Sequence, residues 1–273
     1  MSASAPLVRT PAALARLVAG WRARGHTVGF VPTMGALHAG HGTLVRRAAR
    51  ECGRVVASVF VNPLQFGPNE DYGRYPRALP ADRRLVAAHG GHAVYAPSVE
   101  AMYPEGFRTH VEVEGLSELY DGRYRPGHFR GVATVVLKLF NQVRADRAYF
   151  GEKDYQQVVI LETMVRDLDV PVRVVRVPTV REKDGLALSS RNAYLTPEQR
   201  AAAPALRAAL AAGAAKARRG APAAVVSAAV RAALARTPLK LQYAAVARDL
   251  GLAPRLLAAA YLGKTRLIDN IAL

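Results

Sequence analysis

The stretch FVPTMGALHAGHGTL, residues 30–44, sets His38 and His41 in a glycine-rich turn between a strand-like run and a helix-like one. Upstream, HTVGFVP (26–32) is short, partly β-branched and ended by a proline, which suits a buried strand that stops at Pro32. Downstream, Leu44, Val45, Ala48, Ala49 and Cys52 fall at helical spacing with arginines between them, and Gly53 closes the run. The histidines therefore stand where a strand hands over to a helix N-terminus. The first amide N–H groups of a helix lack intrahelical acceptors and its end carries partial positive charge, so this position favours a phosphate. Gly35, Gly40 and Gly42 let backbone approach a ligand closely. Paired imidazoles here can donate hydrogen bonds to phosphoryl oxygens as charge builds on them. Solvated loop histidines are the plain alternative, and the pattern lacks the nearby third ligand of a zinc helix.

Working outward, RVVASVFVN (54–62) is a continuous apolar run of the kind buried on both faces of a parallel sheet. Strand, helix and strand at this spacing make a right-handed βαβ unit, with its ligand off the C-terminal ends of the strands. Asn62, Pro63, Gln65 and Phe66 stand on that rim. A buried Gln65 amide would read a carboxylate or hydroxyl there; a turn-forming Asn62 and an exposed Gln65 are the alternative. Before the opening stretch, residues 11–24 read as an amphipathic helix ended by Gly25. After it, GPNEDYGRYPRALP (67–80) has the composition of a mobile loop, able to serve as a lid. A helix over 81–91, a strand in HAVYAP, an edge strand over Thr109–Val113 and a loop over Arg123–Arg130 are expected next. The arginines and His128 of that loop either bind an anion or are simply solvated.

GVATVVLKLFNQV (131–143) is apolar almost all round and predicts a buried helix, followed by a short strand in RAYF (147–150). Gly151 turns the chain, and Glu152–Asp154 open a helix, which puts Lys153 and Asp154 on the rim and Gln157 one turn further on. A lysine there meets a phosphate as a point charge; an ordinary charged helix start is the alternative. VPVRVVRVPTV (170–180) predicts another buried strand. In the loop beyond it, Ser189, Ser190 and Arg191 offer two hydroxyls and a forked cation to a polyphosphate. Thr196 as N-cap and Pro197 at the first helical position begin an Ala- and Arg-rich helical stretch to residue 236, broken near Gly220–Pro222. Short strands in KLQYAAVARDL, LLAAAYLG and TRLIDNIAL end the chain. The pattern predicts an α/β fold: a parallel-sheet domain over 1–179 and a smaller α+β C-terminal domain over 180–273.

With 273 residues and 51% apolar residues the chain can bury a full core. It has no apolar run of membrane-spanning length, and residues 1–13 lack the layout of a signal peptide, so a cytoplasmic location is expected. The lone Cys52, on the apolar stripe of its helix, reads as a core filler. A net charge of +17 raises a nucleic-acid partner, but the arginines are spread from Arg9 to Arg266 with no basic tail or aromatic-interleaved segment. Neither nucleic acid nor membrane is therefore expected as a partner; an anionic small substrate is.

In order along the chain, PTMGALHAGH (32–41), FVNPLQFG (60–67), RPGHFRGV (125–132), FGEKDYQQ (150–157), LALSSRN (186–192) and GKTRLIDNI (263–271) closely resemble the pantothenate synthetase family of the nucleotidylyltransferase superfamily. The H-x-G-H pattern is shared by the wider superfamily, whereas FGEKDYQQ and LSSRN discriminate. The resemblance implies a Rossmann-like ATP-binding domain, a small closing C-terminal domain and a homodimer. It implies ATP as substrate with Mg2+, the activation of pantoate as its adenylate with loss of pyrophosphate, and displacement of AMP by the amine of β-alanine. It carries the ATP site onto Pro32, Thr33, Met34, Gly35, His38, Gly40, His41, Gly151, Glu152, Lys153, Asp154, Val180, Leu188, Ser189, Ser190 and Arg191. Pantoate and β-alanine fall to Gln65 and Gln157, and the catalytic roles to His38, His41, Lys153, Ser189, Ser190 and Arg191. Leu188 stands where the family often has Met, and the stretch around VARDLGLAPRLL looks shorter than usual by roughly a hairpin. A superfamily adenylyltransferase with another acceptor is the nearest rival reading. No carboxylate cluster marks a metal cage, so Mg2+ is expected on the phosphates of ATP.

Overall fold

The short apolar runs form a parallel sheet, and the computed structural model describes it together with the rest of residues 4–251 and 253–273. The strands are β1 (Leu7–Val8), β2 (Val28–Val31), β3 (Arg54–Ser58), β4 (Ala93–Tyr95), β5 (Arg147–Gly151) and β6 (Arg173–Val177), all parallel and ordered β1-β4-β3-β2-β5-β6. Between them run α1 (Pro11–Arg22), α2 (Ala39–Glu51), α3 (Leu79–Ala88), α4 (Val99–Met102), α5 (Tyr120–Tyr124), α6 (His128–Val143) and α7 (Tyr155–Asp167). Because successive strand residues point to opposite faces, Phe30, Val56, Tyr95 and Phe150 enter one core with α1 and α6, while Val31, Val55, Val94 and Tyr149 enter the other with α2. Each such large side chain, fully buried, contributes about 1.5–3 kcal/mol.

The order of the strands positions the site. From β2 the chain moves outward through β3 and β4, then returns to place β5 on the other side of β2. The reversal between β2 and β5 is the switch point at which ligands of open parallel sheets bind, beyond the C-terminal strand ends. The turn after β2 carries the two histidines, and Gly151 ends β5.

The chain divides into two compact units: residues up to Glu152 with Gln157–Pro178, and Lys153–Gln156 with Thr179–Leu273. In the second unit α8 (Pro197–Ala202), α9 (Ala205–Arg218) and α10 (Ala223–Leu234) pack on an antiparallel sheet of β7 (Lys240–Ala247), β8 (Arg255–Leu262) and β9 (Thr265–Ala272). Thr196 caps α8 in a reciprocal capping box with Gln199. No helix of the described residues is long and apolar enough to cross a membrane. Leu252, inside the stretch expected to be short, lies outside the described residues.

Several expectations are corrected. Thr109–Val113 forms no strand: the Val111 N–H donates to Thr134 Oγ1 of α6 at 2.9 Å, and Val111 and Val113 pack on the core. Their alternation reflects burial against a helix rather than a ladder. Arg123–Arg130 is not one loop, because α5 ends at Tyr124 and α6 begins at His128. Arg125 is neither solvated nor turned to a ligand: its guanidinium grips the Glu70 carboxylate with two bonds of 2.6 Å. The α-helix after β5 starts at Tyr155, since Glu152–Asp154 is a 3-10 turn. Cys52 stands one residue past the end of α2 as its C-cap but is the expected core filler, buried in one cluster with Leu44, Val45 and Ala48 and with Sγ 3.4 Å from the Tyr149 hydroxyl. The two-residue strand β1 went unforeseen, being too short for any period.

Candidate active site

Pro32 ends the strand ladder, and the chain then turns tightly to reach α2. The Thr33 N–H donates to Ser58 Oγ at 3.2 Å, its hydroxyl donates to the Ser58 carbonyl at 2.5 Å, and that same Oγ1 accepts from Gly35 N–H at 3.1 Å. Gly35 (φ 90°) and Ala36 (φ 50°) both take left-handed backbone. A Cβ on Gly35 would stand 2.8 Å from Val59 Cγ1, so glycine is required for space as well as conformation. The Asp82 carboxylate, in the first turn of α3, accepts from the next two amides, Leu37 N–H at 2.7 Å and Ala36 N–H at 3.2 Å. Burial pushes the Asp82 carboxyl above its usual value, against the lowering effect of these two bonds.

His38 is the N-cap of α2, and its Nδ1 accepts from Gly40 N–H at 3.1 Å. His41 reaches back, its Nδ1 accepting from His38 N–H at 3.3 Å. The pair thus makes a capping box out of imidazoles, with ring centroids 4.1 Å apart. Since each Nδ1 accepts a backbone proton, each ring is in the tautomer with hydrogen on Nε2. Two N–H donors are thereby set at a helix N-terminus, as an anion-stabilising site needs.

Gln65, in the 3-10 turn Pro63–Gln65, is buried, as are Asn62 and His128. Asn62 Nδ2 donates to Gln65 Oε1 and to the Gly131 carbonyl, each at 3.0 Å, while its Oδ1 accepts from the Tyr103 hydroxyl at 2.8 Å. That network fixes the amide of Gln65 so that its NH2 group is turned toward Met34, with Nε2 3.1 Å from Sδ. The Gln65 carbonyl accepts from His128 Nδ1 at 2.8 Å and from Arg125 at 3.3 Å. Burial raises the Tyr103 hydroxyl pKa, keeping it a neutral donor. Gly131 lets α6 touch this turn, because a Cβ there would meet the Leu64 carbonyl oxygen at 2.2 Å. Gly131→Ala is therefore expected to destabilise the fold by about 1–3 kcal/mol through overpacking, read as a lower melting temperature.

The second unit carries Lys153, Asp154, Val180, Leu188, Ser189, Ser190 and Arg191. Lys153 Nζ lies 3.7 Å from Asp154 Oδ1, and its side chain is largely buried. Its backbone carbonyl accepts from Asn270 Nδ2 of β9 at 3.0 Å. Asn270 Oδ1 is in turn held by Arg255, and neighbouring Asp269 is paired with Arg181 through two bonds of 2.8 Å. Ser189 caps the 3-10 helix Ser190–Tyr194, its Oγ accepting from Arg191 N–H at 3.3 Å, and Leu188 N–H donates to the Val180 carbonyl at 3.0 Å. Gln157 lies in the first turn of α7, in the first unit.

The structure thus brings His38 to His41 at the start of α2, and Met34 of the turn after β2 to Gln65 of the turn beyond β3. Asp82, Asn62, Tyr103 and Asn270 support the candidates and were not singled out as doing so from sequence. Asn62 stood in a quoted motif and Asn270 in another, but only contacts reveal what their amides hold. Among the described residues no group of three or more His, Cys, Asp or Glu could hold a metal ion. The residues present therefore do not fit a protein-built magnesium cage.

The profile of the family described as Pantoate-beta-alanine ligase matches residues 6–272. The chain is 52% identical to the pantothenate synthetase of Moorella thermoacetica over 98% of each chain, and 54% identical to that of Rubrobacter xylanophilus over 98% of this chain and 99% of the relative. A crystal structure of the Thermus thermophilus pantothenate synthetase superposes with a TM-score of 0.90 at 52% identity, covering 98% of this chain and 99% of the other. The pantoate-beta-alanine ligase from Francisella tularensis, solved in complex with beta-gamma ATP and beta-alanine, gives a TM-score of 0.83 at 33% identity over 98% of each chain. Matching almost end to end in both sequence and fold, the chain is a ligase and belongs to the pantoate-beta-alanine ligase family.

Proposed function

We propose that this enzyme joins pantoate to β-alanine at the expense of ATP, through a pantoyl-adenylate intermediate. A pantoate carboxylate oxygen attacks the α-phosphorus, the bond to the bridging oxygen of pyrophosphate breaks, and a mixed anhydride forms. The amine of β-alanine then attacks the acyl carbon; the carbon–oxygen bond to AMP breaks, the nitrogen loses a proton, and pantothenate and AMP leave. The observation that carries this reading is the pair of Nε2–H imidazoles capping α2 at the switch point of the sheet. The substrate supplies its own nucleophile, so the protein need only align it and offset charge on the phosphates.

In this reading His38 and His41 donate to phosphate oxygens. Pro32, Thr33, Met34, Gly35 and Gly40 shape the nucleotide side, as do Gly151, Glu152, Asp154, Val180 and Leu188. Lys153, Ser189, Ser190 and Arg191 meet ATP phosphates with cations and hydroxyls. Gln65 turns its NH2 group to pantoate, the orientation set by Asn62, and Gln157 contributes to the same acid and amine substrates. Magnesium, when bound, would offset phosphate charge, carried chiefly on the phosphates of ATP. The segment 67–80, a loop that runs into α3 at Leu79, shields the adenylate from water, and the working form is a homodimer in the cytoplasm.

The experiment is to follow pyrophosphate and AMP separately. Pyrophosphate release is expected to require pantoate, and stoichiometric AMP release to require β-alanine as well; AMP release indifferent to β-alanine would support an adenylyltransferase with another acceptor. Gln65→Ala is expected to raise the pantoate KM about 10- to 100-fold, the worth of a hydrogen bond to a charged group, with the ATP KM nearly unchanged. An effect confined to the ATP KM would place Gln65 in a different pocket.

A further inference from the structure

We propose that Asp82 is a positioning residue for the paired imidazoles: its carboxylate holds the Gly35–Leu37 turn from which His38 enters α2. The inference deepens the proposed function, on which it rests. Asp82 is only 1% exposed, although it lies in the first turn of a helix whose neighbouring positions 81, 83 and 84 face solvent wholly or in part. Its two oxygens do not share one donor. Oδ1 takes the Leu37 amide at 2.7 Å and Oδ2 the Ala36 amide at 3.2 Å, so the carboxylate spans consecutive N–H groups.

Those amides belong to, or directly follow, a turn with two consecutive residues in left-handed backbone, Gly35 and Ala36, a conformation that a non-glycine residue such as Ala36 rarely adopts. One residue beyond Leu37 stands His38, whose backbone N–H is the donor that orients His41 through Nδ1. Moving the turn therefore moves the His38 amide, and with it the ring of His41. A carboxylate suits this task better than an amide, because an asparagine would have to aim its NH2 group at one of the two N–H donors. Burial holds the carboxyl above its usual pKa, so stability alone gives little reason to bury an acid here.

The test is a double-mutant cycle read by pantoate-dependent exchange of pyrophosphate into ATP, using the full chain as wild type, Asp82→Asn, His41→Ala and the double variant. Asp82→Asn is expected to lower exchange kcat about 100-fold, the cost of a small misplacement, while the KM for β-alanine in the full reaction changes little. In the His41→Ala background the same substitution should cost less than about 3-fold, since the ring it positions is already gone. A full, multiplicative loss in both backgrounds, or less than about 3-fold loss in the wild-type background, overturns the inference. Near-normal exchange by His41→Ala alone overturns the proposed function itself, and this inference with it. Should Asp82→Asn fail to fold, Gly35→Ala disturbs the same turn from the other side, with a Cβ 2.8 Å from Val59 Cγ1 and 3.2 Å from Asp82 Oδ2. It must show the same non-additivity with His41→Ala, and simple additivity there would refute the idea equally.

Discussion

His41→Ala is expected to lower pantoyl-adenylate formation by about 100- to 1,000-fold, the range found when one preorganised donor to a developing oxyanion is removed. The loss should fall on kcat, because a donor aimed at charge that grows in the transition state contributes little to ground-state binding. The fold should survive. His41 lies in the first turn of α2, where its structural part includes the bond from the His38 amide to Nδ1 at 3.3 Å. Losing half of a capping interaction costs about 1 kcal/mol, small beside the core on either side of the sheet. His41→Asn, which can retain an acceptor for the His38 amide but lacks Nε2, should be as slow as the alanine variant while melting closer to wild type. Pyrophosphate exchange alongside thermal melting separates the two effects. Recovery of activity by the asparagine variant would assign the ring a capping role only.

Lys153→Ala is expected to cost a similar 100- to 1,000-fold in the same half-reaction, about the loss caused by removing one fixed charge complement to the phosphates. Stability should barely change, because the partner of Lys153 is the half-exposed Asp154 at a loose 3.7 Å. A pair so loosely spaced, with one partner half-exposed, contributes about 0–1 kcal/mol. The backbone at Lys153 is fixed independently of its side chain by Asn270. Lys153→Arg should not restore full activity, since a planar guanidinium cannot reproduce a compact ammonium point charge. Measured kcat for exchange near the wild-type value in Lys153→Ala would remove the lysine from the phosphate site.

Much of this was legible in the sequence, for reasons that can be named. The apolar stretch of β2, the proline that ends it, the glycine-rich turn and the helical spacing after His41 all agree with one another, so the strand–turn–helix placement of the histidines followed from local signals alone. The buried elements β3, β5 and α6 were visible through the same agreement. By contrast β6, expected to be buried, is an edge strand of which only Val177 is buried, because nothing in its own apolar run says that no strand pairs beyond it. Less legible was anything decided by distant partners. Thr109–Val113 alternates like a strand, but its amide at Val111 is taken by Thr134. Arg125 looks like a free cation until Glu70 is folded against it. Asp82 has the look of a first-turn helix carboxylate, and nothing local says that it reaches back to residues 36 and 37. The tautomers of His38 and His41 likewise depend on which backbone N–H meets each Nδ1, a fact of geometry that spacing alone leaves open.

The most direct test of the central claim, that the carboxylic acid is activated as an anhydride with AMP, is to supply pantoate labelled with oxygen-18 in both carboxylate oxygens and weigh the products. Attack on the α-phosphorus predicts one labelled oxygen in AMP and the other in the amide carbonyl of pantothenate. AMP without label, or label in inorganic phosphate instead, would contradict it.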